Sequence, residues 1–91
     1  MDQVTTERLS QISQAIHHVE NAKREQQQIL NAFWEHPPAL DEEVVAKRMQ
    51  EIRDRIRALE ERRRALIQER DFLIVRAATI KRGGNWKKGG N

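Results

Sequence analysis

Between Met1 and Arg82 there is one place where a helix has to stop, the doublet Pro37-Pro38. The chain has no other proline, and its four glycines all lie after Arg82, so two long stretches on either side of the doublet carry no helix breaker. What each stretch does next depends on its apolar spacing. From Asp41 to Arg82, Val45, Met49, Ile52, Ile56, Leu59, Leu66, Leu73, Ala77 and Ile80 recur at alternating four- and three-residue steps. That is the seam of a helix packed lengthwise on another helix. In the first stretch Leu9, Ile12, Ile16, Val19, Ile29 or Leu30, and Phe33 line a matching face.

These patterns predict an all-α fold: a two-helix antiparallel hairpin, coiled-coil-like, that dimerises into a four-helix bundle. Helix 1 is expected over about residues 5–35, capped by Thr5 or Thr6, with Glu7 suited to the positive end of the helix dipole. A Pro-Pro corner follows at 36–40, because Pro37 pushes His36 out of the helical region. Helix 2 is expected over about residues 39–82, with Pro38 tolerated at its start and Asp41, Glu42 and Glu43 favourable there. Gly83-Gly84 ends it, leaving residues 83–91 as a basic Gly/Lys/Trp tail.

A corner this short puts residues whose numbers sum to about 75 level with each other. On that pairing Leu30 faces Val45, Val19 faces Ile56, Ile16 faces Leu59 and Leu9 faces Leu66. The two lengths then disagree. Helix 1 spans roughly 46 Å and helix 2 roughly 66 Å, which leaves about 20 Å of helix 2 beyond the reach of helix 1. The overhang, Asp71 to Arg82, is apolar nearly all round, and a helix apolar on every face is normally buried. A second chain is therefore expected over Phe72, Leu73, Ile74, Val75, Ala77 and Ile80.

Four polar residues interrupt the seams: Lys23 and Gln26 on helix 1, Arg63 and Arg70 on helix 2. Polar seam positions cost stability and in coiled coils set register or chain number, although a lysine can also extend its alkyl stem to reach water. Glu43 with Lys47, Glu51 with Arg55 and Glu60 with Arg64 stand four apart in the favourable order and are expected to brace the helix surface.

Charge separates the tail from the rest. Residues 1–40 carry three basic and five acidic side chains and residues 41–71 carry nine of each, whereas residues 72–91 carry five basic ones and no acid. Arg76, Lys81, Arg82, Lys87 and Lys88, with Trp86 among them, form a basic contact set next to the apolar overhang. Such a set grips an acidic partner, phosphates or an anionic surface.

Several functions find no residues to carry them. Without cysteine there is no disulfide and no thiolate zinc site. His17, His18 and His36 lack the three- or four-residue spacing that lets two imidazoles share a metal. No glycine-rich loop precedes a helix, so no phosphate cradle is in view. Small all-helical mutases bind dicarboxylates with arginines from intertwined helices, but they use three helices where this chain supplies two. No catalytic, cofactor-binding or metal-binding residues are assigned, and no cofactor is expected.

The longest apolar run, Phe72 to Val75, is far short of the roughly 20 residues a membrane span needs. With no signal peptide in the opening residues, a soluble cytoplasmic protein is expected. The sequence reads as a non-enzymatic protein–protein interaction module, of the adaptor, inhibitor, scaffold or chaperone type and of a build found in small phage or plasmid proteins. Its expected partners are itself, as a homodimer, and a protein acidic at the contact. The alternative is a small dimeric nucleic-acid-binding protein using the Arg-rich helix and the tail.

Overall fold

A computed structural model describes residues 2–81, with side chains through Thr79. It contains two helices, α1 (Gln3–Glu35) and α2 (Glu42–Lys81). They pack along their length as an antiparallel hairpin, since Arg8 meets Glu69 near one end while Glu20 and Lys23 meet Arg63 and Glu60 nearer the corner. The molecule is a rod of 68 × 26 × 17 Å with a radius of gyration of 20.6 Å. A compact chain of this length would have about 12 Å.

Helix α1 starts earlier than Thr5. Asp2 is its cap, with the Thr5 backbone N–H donating to Asp2 Oδ1 at 2.7 Å and the Thr6 hydroxyl donating to the Asp2 carbonyl at 3.0 Å. An aspartate can reach the third amide of the first turn, so Thr5 and Thr6 are taken into the helix and no longer cap it. At the other end His36 leaves the helix at φ −136°, as a residue before proline must, and its N–H still donates to Ala32 O at 2.8 Å.

The corner is longer than expected. Ala39 and Leu40 are not helical, and the Leu40 N–H turns back onto Pro38 O at 2.9 Å. Asp41 then caps α2, accepting from the Glu43 backbone N–H on its side chain at 3.2 Å and from the Val45 N–H on its carbonyl at 3.0 Å. Glu42 and Glu43 fill the first turn, where their charge suits the helix dipole.

Residues spent in the corner move the register. The even pairing would put Arg8 level with Ile67 and Lys23 level with Ile52; they reach Glu69 and Glu60, both farther toward the C-terminal end of α2. The overhang shrinks in step. With 33 residues in α1 and 40 in α2, the difference is roughly 10 Å, half of that anticipated.

The core is one stripe deep. Ile12, Val19, Leu30, Ile52 and Leu66 are buried, and three of them, Ile12, Val19 and Leu66, form a cluster joined by Ala15, Ile16, Leu59 and Leu73. The buried residues all belong to the predicted seams, whereas Ala15 is not among them, and Leu30 rather than Ile29 takes the contested position, Ile29 being 43% exposed. Leu30 and Ile52 lie nearer the corner, outside the cluster.

Candidate interaction surfaces

Two of the four polar seam residues find partners on the facing helix. Arg63 Nε donates to Glu20 Oε2 at 2.9 Å, and Lys23 Nζ sits 3.0 Å from Glu60 Oε2. These pairs flank the seam at the waist of the hairpin, beside Val19 and Leu59. Gln26 has a buried side-chain oxygen with no hydrogen-bond partner. Arg70 does not cross at all; it bonds its neighbour Asp71 at 3.2 Å. The expected bracing pairs are also redistributed: Glu51 meets Arg48, Glu60 crosses to Lys23, and none of the three anticipated four-residue pairs forms among the described residues.

Toward the free end, Arg8 clasps Glu69 with two parallel bonds of 2.7 Å, from Nε and one terminal nitrogen. The fork matches the carboxylate geometry. The hydrogen bond from Arg8, helped by the charges of Arg8 and Arg62 and opposed by desolvation, holds the Glu69 carboxyl below the usual carboxylate range. The same contact raises the Arg8 guanidinium above its ordinary value. Asp2 is also held low, chiefly by the hydrogen bonds from Thr5 and more weakly by Arg76.

At the apolar end of α2, Leu73 is no overhang residue; it packs on the hairpin's own core, and Ala77 is half-buried. Phe72, Ile74 and Val75 are nevertheless 62%, 47% and 63% exposed. They are bare because a single neighbouring helix covers one side of a segment apolar on all sides. Val4 of α1, 75% exposed, adds to the apolar surface at this end. Ile80 and Lys81 lie within α2 with side chains outside the described residues; the predicted basic contact residues Arg82, Trp86, Lys87 and Lys88 lie outside the described residues altogether.

A second apolar surface lies at the corner. Phe33, Pro38, Leu40, Val44 and Val45 line a groove of ≈ 590 Å³, bordered by His36, Lys47, Arg48 and Glu51. Leu40 is 62% exposed and Val44 52%, with Trp34 also bare nearby in sequence. The seam reading overlooked this groove. Its signal was the doublet Val44-Val45, in which Val45 completes the seam and Val44 is apolar without a seam position to fill.

Among the described residues no group of His, Cys, Asp or Glu could hold a metal ion, and no helix is long and apolar enough to cross a membrane. What the geometry offers is two bare apolar surfaces at opposite ends of a charged rod. Comparison with protein-family models, curated proteins and solved structures finds no match to the chain.

Proposed function

We propose that the chain is a non-enzymatic protein–protein interaction module, a stiff helical hairpin that associates with itself and presents the end of α2, with the basic tail, to a partner protein. The observation that carries this reading is the exposure of Phe72, Ile74 and Val75 on consecutive faces of one helix end. Bare clusters of large apolar side chains on a small protein mark contact surfaces. The five cations from Arg76 onward, with no acid among them, favour an acidic patch on the partner.

A thin core supports the same reading. Among the described residues only five apolar side chains are buried, and a helix pair has only one stripe to bury. Docking on a second surface adds the missing burial.

The test compares the full chain with a Phe72→Asp/Val75→Asp variant, both exposed positions whose change leaves the core untouched. Self-association is followed by light scattering, and each protein is immobilised to capture binding proteins at high salt. Association lost in the variant is the expected result. Equal self-association and equal capture by both proteins would refute the reading. Capture of nucleic acid that releases steeply as salt rises would favour the phosphate-binding alternative instead.

A further inference from the structure

The two bare ends are complementary in charge. Around the corner, Glu35, Asp41, Glu42 and Glu43 are exposed acids, and with Glu51 of the groove they outnumber the groove's two cations, Lys47 and Arg48, five to two. At the other end of the rod α2 carries Arg76, and the sequence from residue 72 to 91 holds five cations and no acid. On the α1 side of that end, Asp2 and Glu7 against Arg8 leave one negative charge, which the five cations outweigh. The hairpin is therefore an electric dipole along its own long axis, with an apolar surface at each pole.

We infer that the groove at the corner is the docking site for the C-terminal end of α2 from a second copy of this chain, in an antiparallel two-fold dimer. This rests on the reading that the end of α2 is a contact surface, and it names the occupant. Phe72, Ile74 and Val75 of one copy lie against Phe33, Leu40 and Val44 of the other, with Arg76 facing the acidic corner. Two dipolar rods side by side attract when reversed and repel when parallel.

Reversal also closes the assembly. When the rods share a midpoint, the corner of each copy meets the α2 end of the other, so the same contact is made twice and no apolar end is left over. End-on stacking would use the same surfaces once per junction and grow without limit. The doubled contact is the better use of them, because forming one junction brings the second within reach. Between the junctions the rods meet through charged middles, which suits a contact concentrated at two ends.

The absence of cysteine makes the arrangement directly measurable, since any single cysteine can carry a spin label. Ala39, Ala58 and Ala78 are exposed and mark the corner, the middle and the far end of α2. Expected is a dimer with a short distance between copies at Ala58→Cys, a long one at Ala39→Cys, and a short one when Ala39→Cys chains are mixed with Ala78→Cys chains. Val44→Asp and Phe72→Asp should each weaken the dimer about ten-fold or more with helicity unchanged by circular dichroism.

Short distances at each single site with a long mixed distance would mean parallel chains and overturn the inference, leaving the role of the α2 end intact. A mass that climbs with concentration would mean end-on stacking and overturn it too. A monomer at every concentration would remove the second copy as occupant. Self-association unaffected by either Asp substitution would overturn both the inference and the reading beneath it.

Discussion

Ile12 and Leu66 are the most deeply buried side chains, at 0% and 1% exposure, and both sit in the one cluster the hairpin has. Truncating either to alanine should cost about 2–5 kcal/mol, a large share of the roughly 5 kcal/mol expected of a domain this small. Chemical denaturation should show the midpoint collapsing for Ile12→Ala and Leu66→Ala while Ile29→Ala, on the exposed side, changes little. The charged clasp responds to pH. Because the folded protein holds Glu69 below its unfolded value, the stabilisation is present above an ordinary glutamate pKa of about 4.3 and is lost as pH falls through the depressed folded value. Melting temperature should therefore drop on acidification below about pH 4, and Glu69→Gln should flatten that drop while leaving a lower plateau at neutral pH. An unchanged acid limb in Glu69→Gln would mean the fork with Arg8 contributes no linkage.

At the scale of the helices, the sequence made the hairpin and both seams readable because a breaker doublet between two breaker-free stretches leaves few alternatives. Leu9, Ile12, Ile16, Val19, Ile52, Ile56, Leu59 and Leu66 all turn inward as their spacing requires. What it did not reveal was where each helix begins. Thr5 and Asp2 are both good caps, and choosing Asp2 adds a turn that has no apolar residue facing the core to announce it. Pro38, equally at home in a corner or a first helical turn, hid the end of the corner, and those uncertain residues became the shift in register. The bare apolar surface at the tip of α2 was legible as composition, but its cause was misread as excess length. At the waist, Gln26 buries an oxygen with no partner, and a buried unpaired polar group costs about 1–3 kcal/mol. Gln26→Leu should accordingly raise the denaturation midpoint. It should also loosen the pairing of chains if the waist serves to set register, which the spin-label distances would report as a broadened distribution.

Burial along the whole molecule is uneven. One buried region is the cluster of Ile12, Val19 and Leu66, while Leu30 and Ile52 are buried nearer the corner, outside it. Beside the corner-ward edge of the cluster the helices are also fastened by the Glu20–Arg63 and Lys23–Glu60 pairs, half-exposed contacts worth on the order of 0.2–1 kcal/mol each. Such a rod should not open as a single unit. Amide hydrogens around the cluster are expected to exchange last, those between Glu20 and Gln27 earlier, and the corner half on its own schedule, so a deuterium time course followed by mass spectrometry should resolve blocks along α1. Raising salt should quicken the middle block most, because its fastening is ionic. The stretch with these ion pairs beside a single apolar stripe is where the rod is expected to bend most readily, and a rod that gives near its middle can seat both ends on an imperfectly matched surface.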